Sequence, residues 1–473
     1  MATISSRELP RNYWIAGMLG ACACLAAAWP RPLEAGVWAA LVMAVPLVLW
    51  ALQSATAWIG WFFFVALLLP PLPIALGNSG PHLALAAAGV GLLCGIFRLE
   101  EWQLRLDLPA VAMVIFFLIL LLSSALALFY SGLNVGAGSL ARVLLFGIPV
   151  YIFFYCAYGP AATNLRAAFA QTRRLYWFAV LSALFACIDF YYQFPAPAGY
   201  GPQFIWLDSG VYRRAQGFFY EASTLGNMCA FFLVMIAVAL VSGAGTRPLS
   251  KLALFLGAPV VFAALLLSYS RASLLNLLVA LMMLLYLNRA RIRVFRLMGV
   301  LAICLCSGAL AAWQFFPEAA SNYWLHLLHS QFFFSQPESV LSGRVATWEK
   351  IAAFLVANPW HAIIGIGYKT LPYSDFLGSN TVADNMYLSL LVETGIVGLA
   401  AFLLLNFAVL RTAYLVARRP NSESSFFGTW IFCFWTGEMV QMLSGDLFTY
   451  WRVLPLYFWV LAVALRRVPQ EYA

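Results

Sequence analysis

The sequence has little charge, little histidine and none of the familiar soluble active-site motifs. Only 10% of its 473 residues are charged and four are His, whereas 64% are hydrophobic. Soluble domains carry about a quarter charged residues and about half apolar ones. This composition therefore excludes an ordinary water-soluble globular protein and predicts a polytopic membrane protein.

Motifs for metals, nucleotides and nucleophilic triads are missing from the sequence. The nine Cys form no CxxC pair and lie inside apolar runs, which indicates small core residues and not a disulfide framework or a zinc site. His326 and His329 have i,i+3 spacing, but no third ligand follows at metal spacing, so surface histidines are the better interpretation. A GxxxxGK[ST] loop, a dinucleotide fingerprint and a Ser-His-Asp arrangement are also missing. We therefore expect no metal and no other cofactor.

Apolar runs of membrane-spanning length dominate what is present. A helix that crosses the hydrocarbon core of about 30 Å needs about 20 apolar residues. On this measure we predict an all-α membrane protein with 12–14 transmembrane helices, and fourteen is the best count. The predicted spans are 12–29, 33–52, 55–74, 82–97, 108–130, 139–157, 172–193, 222–243, 250–268, 272–288, 294–313, 387–410, 425–444 and 449–466.

The basic residues predict how these spans are oriented. The chain has 27 Lys and Arg against 18 Asp and Glu. Cytoplasmic loops of membrane proteins collect Lys and Arg, so the excess needs no nucleic-acid partner to explain it. With both termini in the cytoplasm, most basic residues fall on the cytoplasmic side. Those left on the outer side are Arg31, Arg142, Arg213, Arg214, Arg271, Arg344, Lys350, Lys369 and Arg452.

These outer basic residues are candidates for binding an anion. A charge at membrane depth costs about 2.5–3.5 kcal/mol and usually marks a functional site. Arginine suits phosphate in particular, because its planar fork donates two parallel hydrogen bonds. We therefore expect several of these arginines to converge on one anionic ligand.

Two outer segments accompany the arginines within a predicted single membrane domain over 1–473. The short outer loop runs over 194–221 and the large one over 314–386. Long polar insertions in compact proteins are usually functional or disordered, and the aromatic, Gly and Pro content of the large loop indicates order. Within it, the pattern predicts a helix near 343–357 that ends at Asn358-Pro359.

Four motifs occur in order in the second half of the sequence. They are Ser268-Tyr269-Ser270-Arg271, Ser342-Gly343-Arg344-x-x-x-Trp348, Asn358-Pro359-x-x-x-x-Gly365-Ile366-Gly367, and Asp384-Asn385-x-Tyr387-Leu388-x-x-x-x-Glu393-x-Gly395-x-x-Gly398-Leu399. In this order, and with the long outer loop in the corresponding place, they resemble the O-antigen ligase and O-antigen polymerase superfamily of bacterial inner-membrane glycosyltransferases. The resemblance covers about residues 210–400, and the first 200 residues match only as generic helices.

The resemblance implies a GT-C-like fold and a metal-independent enzyme that works at the periplasmic face of the inner membrane. Such an enzyme transfers a glycan from undecaprenyl pyrophosphate to an acceptor hydroxyl. The acceptor is lipid A core for the family's ligases and another lipid-linked repeat unit for its polymerases. The implied partners are the lipid-linked donor, the acceptor and membrane lipid. A chain-length regulator or another polysaccharide-assembly protein stays open as a further partner.

Several residues of this sequence are implied as ligands of the pyrophosphate. They are Arg271 and either Arg213 or Arg214, with Arg344 as a further candidate. Arg142 is added because it is an outer arginine at the mouth of the sixth predicted span. For Arg271 the alternative is a juxtamembrane side chain that reaches lipid headgroups. Arg344 could instead pair with Glu338 or Glu349 in its own loop.

The expected reaction is direct displacement at the anomeric carbon, with a base on the face opposite the leaving group. Asp384 is the candidate base and Glu221 the reserve, so we expect an inverting outcome. The family usually carries His-Asn where this chain has Asp384-Asn385. The alternative for Asp384 is to cap the helix that begins near Met386. His361 is a displaced candidate base that ranks below Asp384.

The remaining motif residues are candidates for glycan contacts or for packing. Those expected near the glycan are Trp348, Asn385, Tyr387 and Lys369. For Trp348 the alternative is anchoring at the membrane interface. Glu393 is interpreted as a structural hydrogen-bonding residue, and Gly395 and Gly398 as positions of close helix packing.

Two alternatives concern the acceptor of the glycan and the class of protein. The Asp in place of the family's His and the fourteen spans favour a polymerase of O-antigen or exopolysaccharide repeats over a lipopolysaccharide ligase. A polysaccharide or lipid transporter is the competing class. No repeat between the two halves is visible and the polar residues gather at the outer surface, so the enzyme is the preferred interpretation.

Overall fold

The computed structural model describes most of the chain as helix. The described residues are 54–72, 81–161, 165–195, 203–207, 210–242, 247–289, 344–374, 376–378, 381–419 and 424–465, with the single helical positions 17, 20, 21, 24, 314, 321 and 324. Within this part the helices are α1 Ala57–Leu68, α2 Leu83–Ile96, α3 Leu108–Ala157, α4 Leu165–Tyr192, α5 Ala222–Val241, α6 Lys251–Leu267, α7 Arg271–Leu287, α8 Arg344–Ala357, α9 Pro359–Ile364, α10 Met386–Ala417, α11 Ser424–Gln441 and α12 Leu454–Leu465.

Four of these helices, α3, α4, α5 and α10, are long and apolar enough to cross a membrane. Helices α1, α2, α6, α7 and α12 are apolar but shorter. The prediction of a mostly helical membrane protein is therefore confirmed, while the count of fourteen spans and the GT-C-like arrangement stay predictions. The predicted spans 33–52 and 294–313, and most of 12–29, lie outside the described residues.

Helix α3 contains two of the predicted spans in one run of 50 residues. Gly132 breaks it with φ +83°, in the left-handed region that favours glycine. The break falls between the predicted spans 108–130 and 139–157. Asp107 begins the helix as its N-cap, because its carboxylate accepts a hydrogen bond from the Ala110 amide at 3.3 Å.

Helix α11 packs against α7, α10 and α12, and α3 packs against α10 and α12. Aromatic side chains fill the space between α5, α11 and α12. The ring of Phe231 lies 4.4 Å from Trp430, 4.8 Å from Phe434 and 4.6 Å from Tyr457, centroid to centroid. Such pairs add about 0.5–1.5 kcal/mol each beyond the burial of their area. This core fixes the helices that carry the polar residues described below.

Helices α8 and α9 form a small lobe that packs against the start of α10. The predicted helix near 343–357 is confirmed as α8, and α9 follows directly after Asn358. The lobe has its own apolar cluster, which consists of Ile351, Ile366, Leu371, Leu377, Ala383 and Val392. The lobe packs against α10 and contacts its backbone, and these contacts join the lobe to the membrane helices.

Two glycines allow the lobe to approach α10 closely. Gly365 has φ +82° and Gly395 has φ +69°, so both need the left-handed conformation. A Cβ at Gly395 would collide with the backbone of Ile363, and one at Gly365 with the backbone of Glu393. Close packing at Gly395 is as expected, but its partner is the lobe and not another spanning helix.

A β-hairpin lies in the segment that was predicted as the short outer loop. Strand β1 (Phe204–Leu207) pairs antiparallel with strand β2 (Gly210–Arg213), and Phe204 lies opposite Arg213. The all-α prediction did not include it, because two four-residue strands give too short a pattern to be distinguished from loop. The hairpin determines which of two adjacent arginines, Arg213 or Arg214, faces the candidate site described below.

Candidate active site

Three arginines from separate segments lie close enough for their charges to interact. Arg214 follows β2, Arg271 is the first residue of α7, and Arg344 is the first residue of α8. Burial lowers the pKa of the Arg214 guanidinium, and the charges of Arg271 and Arg344 lower it further, while Tyr450 and Glu221 act in the opposite direction. Arg271 and Arg344 also interact electrostatically. Because like charges brought together favour an anion between them, this arginine cluster is a candidate anion site.

The turn between α6 and α7 holds two of these arginines. The Arg214 Nε donates to the carbonyl of Ser268 at 2.8 Å. Ser270 is the N-cap of α7, and its hydroxyl accepts from the Ser273 amide at 3.3 Å. Arg271 therefore lies at the N-terminus of a 17-residue helix, where the helix dipole also favours negative charge.

Arg213, the neighbour of Arg214, lies outside the arginine cluster. Its Nη2 donates to Asp189 at 2.7 Å, and both side chains are largely buried. Its backbone amide donates to Gln193 at 2.8 Å. Successive side chains of a strand point to opposite faces. Of the two adjacent candidates, the structure therefore brings only Arg214 to Arg271 and Arg344.

Glu221 is a carboxylate beside the arginine cluster. It precedes α5, and its Oε2 accepts from the Ser223 hydroxyl at 3.1 Å. Burial raises the pKa of Glu221; Ser223, Lys369 and Arg214 oppose this shift, and Asp384 adds to it. These interactions place Glu221 among three other predicted site residues. A carboxyl with a raised pKa is suited to general acid–base catalysis.

Asp384 forms an ion pair with Arg344. The distance from Arg344 Nε to Asp384 Oδ2 is 3.1 Å, and about half of the Asp384 side chain is exposed. Its backbone has φ +46°. The Trp348 indole donates to the carbonyl of Ala383 at 2.6 Å, which fixes the residue before it.

Asn385, and not Asp384, caps α10. The Asn385 side chain accepts from the Leu388 amide at 3.1 Å, so the interpretation of Asp384 as the helix cap is wrong. Arg344 pairs with Asp384 across 40 positions of sequence, and not with Glu349 in its own helix. The other alternative partner, Glu338, lies outside the described residues.

Lys369 and Arg142 lie on the side of the site formed by the lobe and α3. Lys369 forms an ion pair with Asp446 and interacts electrostatically with Glu221. The Arg142 Nη1 donates to the Lys369 carbonyl at 3.1 Å, and its Nη2 lies 3.5 Å from the Tyr373 hydroxyl. Arg142 therefore holds the 369–373 segment against α3, so part of its guanidinium is already occupied.

Three other candidates are used in packing. The Tyr387 hydroxyl donates to the Met439 carbonyl at 2.9 Å. His361 packs its ring on Phe354 and Phe376, at 5.7 and 4.9 Å between centroids. Arg452 is buried and donates to carbonyls that include Leu69 at 2.8 Å, which ties the end of α1 to the start of α12.

Glu393 has the structural role expected from the sequence. Its Oε1 accepts from the Leu371 amide at 3.3 Å. Its backbone carbonyl, next to the break at Gly395, accepts from the Gly367 amide at 2.9 Å and from the Ser123 hydroxyl at 3.1 Å. These bonds connect the lobe, α10 and α3.

A buried polar group beneath the arginine cluster was not among the residues predicted from the sequence. Glu438 on α11 is fully buried, and its Oε2 accepts from the side-chain amides of Asn227 and Asn276. The Asn276 amide also donates to Gln441 at 3.0 Å. A carboxyl in the middle of the predicted span 425–444 was the available signal, because such residues are usually functional.

Metal ligands do not cluster among the described residues: no group of three or more His, Cys, Asp or Glu could hold an ion there. The arginine cluster, Glu221, Asp384 and Lys369 can instead provide positive charge for an anion and a carboxylate for a proton. The expectation of no cofactor stays a prediction.

One domain of the chain is similar to a known protein family. No curated protein matches the chain. Residues 252–403 match the family model described as O-antigen ligase. The matched range includes Arg271, Arg344 and Asp384, whereas Arg214 and Glu221 precede it. The resemblance to the O-antigen ligase and polymerase superfamily is therefore confirmed by a family domain at residues 252–403.

Proposed function

We propose that this protein transfers a glycan from undecaprenyl pyrophosphate to an acceptor hydroxyl at the periplasmic face of the bacterial inner membrane. The observation that carries the proposal is the convergence of Arg214, Arg271 and Arg344 at the N-terminus of α7. A pyrophosphate has several anionic oxygens, and each guanidinium can donate two parallel hydrogen bonds to them. Lipid headgroups could occupy a single arginine, but three arginines from separate segments match a diphosphate better.

The arginine cluster would stabilise the leaving group. When the anomeric C–O bond to the pyrophosphate breaks, the electron pair goes to the phosphate oxygen. Preorganised donors around that oxygen stabilise the charge that develops, and loss of one such donor typically costs about 10²–10³-fold in rate. Three guanidinium groups and a helix N-terminus supply this positive charge, so the proposed reaction is metal-independent.

We assign Glu221 as the base that accepts the proton of the acceptor hydroxyl, with Asp384 as the second candidate. Glu221 has a raised pKa and accepts a hydrogen bond from a neutral serine. Asp384 is already paired with the guanidinium of Arg344. As the acceptor oxygen bonds to the anomeric carbon, its proton passes to the Glu221 carboxylate and undecaprenyl pyrophosphate leaves. A base opposite the leaving group gives inversion.

The identity of the acceptor decides whether the enzyme is a polymerase or a ligase. We propose a second lipid-linked repeat unit, so that the enzyme polymerises O-antigen or exopolysaccharide repeats. The description of the matching family model, O-antigen ligase, supports lipid A core as the second candidate.

The test is transfer by the purified protein in lipid vesicles. A lipid-linked repeat unit is supplied with either more of the same compound or lipid A core as acceptor, and the products are separated by length. Growth of chains on the lipid carrier supports the polymerase, and glycan on lipid A core supports the ligase. Movement of the lipid-linked glycan across the bilayer without transfer would support the transporter and overturn the proposal.

A further inference from the structure

A chain of buried polar side chains runs beneath the arginine cluster. It crosses from α5 through the start of α7 to α11. Its members are Asn227, Ser270, Ser273, Asn276, Glu438 and Gln441, and all are buried. Polar groups in such a location are costly unless they are hydrogen-bonded, so a connected group of six requires an explanation.

One end of this polar chain reaches the turn that carries Arg271. The Gln441 Nε2 donates to the Ser273 hydroxyl at 3.3 Å, and the Ser273 and Ser270 hydroxyls lie 2.8 Å apart. Ser270 is the N-cap of α7, immediately before Arg271. Gln441 therefore holds, through two hydroxyl groups, the turn that precedes Arg271.

The other end reaches Glu221. The Tyr450 side chain lies close enough to both Gln441 and Ser223 to interact with them. The Ser223 hydroxyl donates to Glu221 at 3.1 Å. One amide side chain, that of Gln441, thus reaches both the turn that precedes the proposed ligand of the pyrophosphate and, through Tyr450 and Ser223, the proposed base.

Glu438 is the centre of the polar chain. Its Oε2 accepts from Asn276 at 2.7 Å and also from Asn227. The same Asn276 amide donates to Gln441 at 3.0 Å. An apolar side chain of similar size would fill this space without the cost of burying a carboxyl. Its presence is explained if the position of these amides matters.

We propose that Glu438 is a positioning residue, which acts through Asn276 and Gln441 to hold Arg271 and Glu221 in register on one substrate. The inference rests on the proposed function, because it concerns the geometry of that site. It assigns to Glu438 the role of a hydrogen-bond acceptor and not of a proton carrier.

The test compares Glu438→Leu and Glu438→Gln in the vesicle transfer assay, per amount of folded protein. Leu lacks an acceptor, so kcat should fall about 10–100-fold, since small displacements of catalytic groups have effects of this size. KM for the lipid-linked donor should change less than about threefold, because Arg214 and Arg344 still bind it. Gln keeps one carbonyl oxygen for the two asparagines, so its kcat should stay within about threefold of the wild type.

The matched control is Asn406→Leu. Asn406 is a buried amide on α10 that accepts from the Trp435 indole of α11 at 2.8 Å and lies outside the polar chain. Its loss should lower the yield of folded protein without lowering kcat. If Glu438→Leu does not fold, Gln441→Met replaces it, and the same loss of kcat is expected because Gln441 joins both ends.

A double-mutant cycle with Arg271→Lys completes the test. The Glu438→Leu defect should shrink to less than about threefold in that background, because the geometry of Arg271 is already lost, whereas Asn406→Leu should stay additive. A Glu438→Gln variant as inactive as Glu438→Leu, or a Glu438→Leu variant that behaves like Asn406→Leu, overturns the positioning role alone. Wild-type activity of Arg271→Lys and Arg271→Ala overturns the proposed pyrophosphate site, and with it this inference.

Discussion

The Nε of Arg344 donates to the Oδ2 of Asp384 at 3.1 Å, and this ion pair joins the first residue of α8 to the loop before α10. The carboxylate is about half exposed, and exposed pairs typically contribute about 0–1 kcal/mol to stability. The Arg344–Asp384 pair matters for geometry, since it orients one of the three cluster arginines. A residue with this role should be less critical than the proposed base.

The first prediction separates the two carboxylates. Glu221→Gln should lower kcat about 100-fold or more, because a general base typically contributes 10²–10⁴-fold. Asp384→Asn should lower it only about tenfold, because Asn can still accept a hydrogen bond from Arg344. Transfer of a labelled lipid-linked glycan in vesicles measures both. The reverse order of severity would make Asp384 the base.

The second prediction concerns pH. A base works when deprotonated, so kcat/KM should fall as pH falls through the pKa of Glu221. That limb should lie above the ordinary range of a glutamate near 4.3, since burial raises the pKa. The negative charge of Asp384 contributes to the raised pKa, so Asp384→Asn should move the limb to lower pH. An acidic limb that is unchanged in Asp384→Asn would contradict this coupling.

The third prediction tests the arginine cluster. Arg271→Ala and Arg214→Ala should each lower kcat/KM about 100-fold or more, because each removes a donor to the leaving group. Lys350→Ala is the matched control: Lys350 is an exposed basic residue on α8 of the same lobe. It should keep wild-type activity. Equal losses in all three variants would indicate a general charge effect and not a defined site.

Arg213→Ala is a second comparison for the arginine cluster. It would leave the carboxylate of Asp189 buried without its ion-pair partner. Breaking a buried pair is destabilising by about 3–5 kcal/mol. The amount of folded protein should therefore fall, while the activity per folded molecule should change much less than in Arg214→Ala. Detergent-solubilised protein analysed by size exclusion and thermal unfolding gives the first quantity.

The fourth prediction concerns the contact between the lobe and α10. Gly395→Ala should destabilise the protein by about 1–3 kcal/mol, because φ +69° is unfavourable for Ala and its Cβ would collide with the backbone of Ile363. Gly138→Ala on α3 is the matched control. No atom lies within 4 Å of a Cβ there, so Ala should be neutral or stabilising by about 0.5–1 kcal/mol. Thermal unfolding in detergent compares the two.

The sequence predicted the helical membrane fold and the family because both depend on local patterns. Apolar length identifies a span, and the order of four short motifs identifies the superfamily. Arg271 and Arg344 were chosen as candidates in the same way, as basic residues on the outer side within those motifs. Helix α8 was predicted from its apolar spacing and from the Asn358-Pro359 stop.

The choice between Arg213 and Arg214 could not be made from the sequence. It depends on a hairpin of two four-residue strands, and on which face of β2 meets the turn at Ser268. A shift of one residue in such a strand exchanges the two side chains. The pair Arg213–Asp189 was equally hidden, since its members lie 24 positions apart.

The polar chain around Glu438 was missed for a related reason. Its amides and hydroxyls lie on three helices that are far apart in sequence, with 211 positions between Asn227 and Glu438. Each residue by itself resembles an ordinary polar position in a helix. Only the packing of α5, α7 and α11 makes them one group.

The backbone at Asp384 limits which residues this position can carry. Its φ of +46° lies in the left-handed region, where Asn, Asp and His are the non-glycine residues that occur most readily. The superfamily resemblance implies His here, and this chain has Asp. Both side chains tolerate the same local conformation, so the exchange would require no rearrangement of the main chain. The left-handed conformation thereby favours Gly, Asn, Asp and His at this position, and of these Asp and His can accept or donate a proton.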